Sequence, residues 1–188
     1  MRVKTTSIRT ALIAAKGPWY PKDHQGQGFY ALFLKQGCSL PCLEVAEDGL
    51  LYIGKTEKGF SARDQFDPKC GHSGSCTARR SLGALLKDQL QLSAEPRSRR
   101  SFFNRSHHFR FDEEGERALS GWMRAHLHIA RVPFEGNVTA AETILIDLLC
   151  PPLNLTKWRN PQAPYIKRMR RRCASEARLF FMPRRSAA

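Results

Sequence analysis

Two short apolar runs constrain this chain more than anything else in it. Phe29-Tyr30-Ala31-Leu32-Phe33-Leu34 and Leu50-Leu51-Tyr52-Ile53 are aromatic and aliphatic, and each is bounded by glycine and polar residues, which is the pattern of a strand. Between them lie Gly37, Pro41, Asp48 and Gly49, residues with turn chemistry, so an antiparallel pair with a generous connection is the simplest topology. The alternating run His128-Ile129-Ala130-Arg131-Val132, closed by Pro133, predicts a third strand.

Helical spacing appears three times. Thr77 to Leu92 sets Leu82, Leu85, Leu86 and Leu90 on one stripe, and Glu113 to His126 does the same with Ala118, Leu119, Trp122 and Met123. Thr139 to Cys150 aligns Ala141, Ile144, Leu145, Leu148 and Leu149, and Pro151-Pro152 stops it. A short helix over Ser61 to Phe66 is a further, fainter pattern. The fold class is therefore α/β of the α+β kind, a small antiparallel sheet flanked by helices.

At 188 residues and 41% hydrophobic, the chain has material for one core. Gly17, Pro18, Pro21 and Gly26 break residues 1–27, which reads as a loosely structured lead-in; 28–156 reads as the domain, with a helical insertion over about 70–126, and 157–188 as a basic tail. Lys and Arg number 31 against 17 Asp and Glu, a formal +14, and from Lys157 onward ten basic residues face only Glu176. Such a balance favours a polyanion, an acidic lipid or a nucleic acid. Arg79, Arg80, Arg97, Arg99, Arg100, Arg105, Arg110, Arg168, Arg170, Arg171 and Arg172 are the candidates for a nucleic-acid backbone. The apolar run Ala11 to Ala15 is too short for a signal-peptide core, no run approaches a membrane span, and the six cysteines are scattered; the expectation is a cytoplasmic protein.

Gly49 to Thr56, GLLYIGKT, fits the phosphate-loop pattern of nucleotide-binding proteins. The physics of that loop argues against the match. Its four variable residues must curl so that backbone N–H groups face a phosphate, and it must open into a helix. Leu-Leu-Tyr-Ile extends more readily than it wraps an anion, and Glu57-Lys58-Gly59 is a poor helix start.

Read as strand and turn, the octet supplies Tyr52-Ile53-Gly54 opposite Gly28-Phe29-Tyr30 of the first run. The pair resembles the two halves of the GIY-YIG nuclease signature, with Phe29 in place of the usual isoleucine. The likeness continues in order through Arg63, Glu142 and Asn154, and covers Gly28 to Asn154. It implies a three-stranded antiparallel sheet flanked by helices and a DNA endonuclease using one divalent metal, Mg²⁺ or Mn²⁺. By that resemblance Tyr30 or Tyr52 is the base, Lys55 and Arg63 hold the phenol's charged form, Glu142 binds the metal, and Asn154 orients Glu142 or a water. Arg79 or Arg80 is the alternative to Arg63, because the segment after it carries an insertion.

The chemistry is consistent with these residue types. A phenol titrates near 10 and acts as a base only where cations lower its pKa. Mg²⁺ keeps several waters and needs few protein carboxylates, so one glutamate suffices. Each residue also has a plainer account: tyrosines as strand aromatics, Asn154 as a turn residue, and Thr139-Ala140-Ala141-Glu142 as a capping box. A catalytically silent DNA-binding protein on the same scaffold is the alternative function. Cys38, Cys42, Cys70, His72 and Cys76 are soft ligands, but their spacings are not those of zinc ribbons, and structural zinc is not expected.

Overall fold

The computed structural model of the chain describes residues 2–19, 26–60, 72–97 and 109–179. Three strands, β1 (Gly28–Leu34), β2 (Leu50–Thr56) and β5 (Leu127–Pro133), form an antiparallel sheet in the order β2-β1-β5. The three strands are those the sequence predicts, and their antiparallel sheet is the one the family resemblance implies. Every residue of β1 is buried, because it is central and both faces of the sheet are covered; that is why its sequence is apolar on both sides rather than alternating.

One face carries α1 (Arg2–Ala14) and α4 (Val138–Leu149), whose Leu12, Val138, Leu145 and Ile146 pack on Phe29, Ala31, Phe33, Ile53 and Ala130. The other carries α2 (Thr77–Leu86), α3 (Glu113–His126) and α5 (Ala163–Leu179), packed on Leu32, Leu34, Leu51 and Ile129. A second sheet pairs β3 (Ala94–Pro96) with β4 (Phe109–Phe111), seating Phe109 and Phe111 in that core. The two-stranded pairing is absent from the sequence reading, since three-residue strands leave no measurable alternation. No helix among the described residues is long and apolar enough to cross a membrane.

Helix starts follow local chemistry. Asp112 caps α3 by accepting from the Gly115 N–H at 2.7 Å, and three glutamates occupy its first turn, where the helix dipole favours them. α4 begins one residue earlier than predicted, with Asn137 as its cap accepting from the Ala140 N–H at 3.0 Å. The anticipated capping box is therefore absent, and the Glu142 carboxylate is released for another partner. α4 ends on Cys150 in the left-handed conformation, ahead of Pro151-Pro152.

Both ends of the chain differ from expectation. The lead-in contains α1, whose Leu12 is buried, and Gly17 pairs with Ile129 through two backbone hydrogen bonds of 3.1 and 2.9 Å, covering the outer edge of β5. The tail contains α5, which buries Ile166, Cys173, Ala174 and Ala177. Its arginine run hides an apolar stripe at i, i+7, i+8 and i+11, so the helix docks as part of the core. Its Glu176 also meets the Ala94 N–H at 2.9 Å and Lys87 at 2.6 Å.

Candidate active site

The register places Tyr30 opposite Gly54 and Leu32 opposite Tyr52, so the two phenols lie diagonally on one face of the β1–β2 pair. Their ring centroids are 6.1 Å apart with planes inclined by 30°. Gly54 permits this. A Cβ there would come within 2.3 Å of both Cζ and Oη of Tyr30, so the phenol lies across the glycine backbone and no larger residue fits beneath it.

β2 is an edge strand, and the chain after α4 closes that edge. The Leu153 N–H donates to the Leu51 carbonyl at 2.9 Å; the Asn154 Oδ1 then accepts from the Ile53 N–H at 2.9 Å, and its Nδ2 donates to the Ile53 carbonyl at 2.8 Å. A side-chain amide thus pairs with β2 as a neighbouring strand would, fixing the residue between Tyr52 and Gly54. Both of its polar atoms are engaged with Ile53, so Asn154 positions the signature strand rather than orienting Glu142 directly.

Glu142 projects from α4, which packs against β2 on the face opposite the phenols. The residue is 8% exposed, and its carboxylate pairs with the Lys157 ammonium. Lys157 sits in the same segment as Asn154 and has φ 75°, a left-handed conformation uncommon for a residue with a side chain. α4 and the phenols thus flank β2 from opposite faces, and residues 154–157 wrap the edge between them, where Lys157 meets Glu142. Trp158 and Asn160 hold that wrap, donating to the Asn154 carbonyl at 2.8 and 3.1 Å. The sequence reading counted Lys157 among tail charges and passed over Trp158 and Asn160, because irregular segments carry no periodic signal.

Lys55 is one residue beyond Gly54 and opposite Phe29, which faces α4. Its ammonium meets Glu57 and the Thr139 hydroxyl at the start of α4. The expectation that it supplies a field at the phenols is not met by this geometry, because strand alternation turns it to the other face.

Arg79 and Arg80 are likewise corrected as DNA ligands and as alternatives to Arg63. Arg79 is fully buried, with Nε on Glu116 at 2.7 Å and Nη2 on the Ser120 hydroxyl at 2.8 Å. Arg80 is 3% exposed, donating from Nε to the Ser73 carbonyl at 2.8 Å and from Nη2 to that of Gly74 at 2.5 Å. Burial, with Arg170 and Arg97 nearby, lowers its pKa to about 10, still protonated at neutral pH. Of the remaining arginines, Arg97 is exposed and Arg110 pairs with Glu95 at 3.2 Å. Arg168 lies over the Tyr165 ring at 5.2 Å, and Arg172 grips Asp88 through two hydrogen bonds of 2.6 and 2.8 Å. Arg63, Arg99, Arg100, Arg105, Cys70 and the helix read at 61–66 lie outside the described residues.

A hard divalent cation suits Glu142: the group is an oxygen donor already matched to a positive charge, and Mg²⁺ or Mn²⁺ would bring waters for the remaining positions. Among the described residues no three His, Cys, Asp or Glu side chains gather into a metal cluster. His72 accepts the Gly74 N–H on Nδ1 at 3.1 Å, and burial foremost lowers its pKa, which keeps the ring neutral at physiological pH. Cys38, Cys42 and Cys76 are free thiols.

No curated protein and no solved structure matches the chain significantly. A family model does: that of the GIY-YIG catalytic domain spans residues 28–173, from the first glycine of β1 into the buried half of α5. With that span, and with the signature residues paired across β1 and β2, the chain belongs to the GIY-YIG catalytic-domain family.

Proposed function

We propose that this chain is a metal-dependent DNA endonuclease that cleaves phosphodiester bonds by in-line attack of an activated water. The observation that carries the reading is the diagonal pair of phenols beside an edge that Asn154 locks and Lys157 ties to Glu142. Tyr30 or Tyr52 takes the proton of the attacking water, Arg63 holds a non-bridging oxygen, and Glu142 binds the divalent cation. That cation supplies Lewis-acid neutralisation of charge gathering at phosphorus. The formal charge of +14 supplies the sequence-independent attraction to the backbone. The test is nicking of supercoiled DNA with Mg²⁺ or Mn²⁺ against the same reaction in chelator. Metal-dependent nicking is expected; DNA retention on a gel with no nicking in any metal ends the reading.

The Glu142–Lys157 pair favours a second reading, in which the ammonium already neutralises the carboxylate and the domain binds DNA without cutting it. Lys157→Gln separates the two. In the nuclease the substitution frees Glu142 and lowers the Mg²⁺ needed for half-maximal nicking by roughly fivefold, the equivalent of about 1 kcal/mol for a partly exposed pair. In the silent binder it produces no nicking at any metal concentration.

Gly54→Ala tests the phenol geometry. The added methyl meets the Tyr30 ring and hydroxyl at 2.3 Å, so the ring must rotate away from Tyr52. A displacement of about 1 Å costs roughly 10²-fold in rate, and the expected result is a loss of that size with DNA affinity unchanged. Cleavage at the wild-type rate would show that Tyr30 need not lie where it does.

A further inference from the structure

α5 divides its positive charge between two faces. Arg168 and Arg172, one turn apart, are occupied by Tyr165 and Asp88. Lys167, Arg170 and Arg171 lie on the adjoining stripe that includes Ala174, Arg170 nearly opposite the Arg168–Arg172 pair and Arg171 about a sixth of a turn from Arg168. That stripe, with Thr77 at the start of α2 and with Leu155 and Thr156 just after Asn154, lines an open cavity of about 560 Å³. Among the described residues none of Lys167, Arg170 and Arg171 has a hydrogen bond or an ion pair, although Arg170 is partly buried.

The nearby Arg80 deepens the imbalance. Among the described residues its buried guanidinium is bonded to two carbonyls, Ser73 and Gly74, and to no carboxylate, whereas the neighbouring Arg79 has Glu116. A buried cation without a counter-charge carries a desolvation cost that a bound anion offsets. Arg170 and Arg97 are close enough to Arg80 to lower its pKa further. Three cations with no side-chain partner among the described residues line one groove, with the buried Arg80 close to Arg170, and such a groove suits an anion.

We infer that the groove between α5, the start of α2 and Leu155-Thr156 holds the nucleic-acid phosphate backbone next to the cleavage site, through Lys167, Arg170 and Arg171. The assignment rests on the nucleic-acid reading above and narrows it: only one face of α5 binds. Nucleic acid is favoured over a small anion because the groove is open, is lined by several cations in a row, and continues directly from Asn154 at the β2 edge.

The test is anisotropy of a labelled DNA duplex in chelator, titrated across salt concentrations, for the wild type, Arg170→Ala/Arg171→Ala and Arg168→Ala/Arg172→Ala. Thermal melts report on folding of each. The groove variant is expected to bind on the order of tenfold more weakly for each arginine removed, and its logarithmic salt slope to fall by about 2. The other variant keeps the wild-type slope. Equal losses in both variants, or none in the groove variant, overturn the groove while leaving the nuclease reading intact. Failure of the wild type to bind DNA at all overturns the groove, and nicking of supercoiled DNA independently reports whether the nuclease reading survives.

Discussion

Glu142→Gln is expected to slow metal-dependent nicking by roughly 10³-fold while the fold and the affinity for DNA persist. The amide keeps the size of the carboxylate and can still accept from Lys157, but it loses the charge that retains a divalent cation. A bound metal contributes several kcal/mol to stabilising charge at phosphorus; about 4 kcal/mol corresponds to roughly 10³ in rate. The Lys157 ammonium is about one-third exposed, so the pair itself adds little to stability, at most about 1 kcal/mol, and unfolding should shift only slightly. Nicking rates at saturating Mg²⁺, beside a melt and a gel shift, check all three parts. A rate within about threefold of wild type would remove the acid from the chemistry.

Arg79→Ala is the largest expected stability effect, a loss of about 3–5 kcal/mol, because it leaves the Glu116 carboxylate buried without its cation. Against a total of roughly 5–15 kcal/mol for a domain, that lowers the melting temperature by about 6–20 °C. Glu116 is the hub of this region. Its Oε1 also accepts from the Ser73 N–H at 2.9 Å and the Phe111 N–H at 3.3 Å, tying the loop before α2 to β4. Removing the arginine therefore loosens three elements together, and the melt should broaden as well as fall. Replacing Glu116 by leucine alongside Arg79→Met would restore only part of the loss, since the Ser73 N–H and hydroxyl would then lack their acceptor. A melting temperature within about 2 °C of wild type for Arg79→Ala would show the pair to be dispensable.

These two residues mark opposite limits of what a linear reading reaches. Glu142 is singled out by the family resemblance, through three signals in order along the chain: a strand opening with Gly-Phe-Tyr, another carrying Tyr-Ile-Gly, and a helix stopped by Pro151-Pro152 before Asn154. Arg79 is not. In a basic chain it looks like one more surface cation, and only the tertiary structure reveals that it is sealed against Glu116, Ser120 and Met123. The arginine run of α5 misleads in the same way: charge drew attention away from Ile166, Cys173 and Ala177, whose spacing would have predicted a docked helix.

By itself, the sequence determined the three strands, the antiparallel sense of the first two and the two later helices almost to the residue, because each depends on periodicity or turn chemistry within a few residues; the sense of the third strand and the signature groups came from the family resemblance. The tertiary structure decided which cations face solvent, that Lys55 turns from the phenols, that Asn154 is consumed by Ile53, and that Lys157 meets Glu142. Those outcomes depend on side chains brought together from distant parts of the chain, where burial and desolvation set their energies and no local pattern records the result.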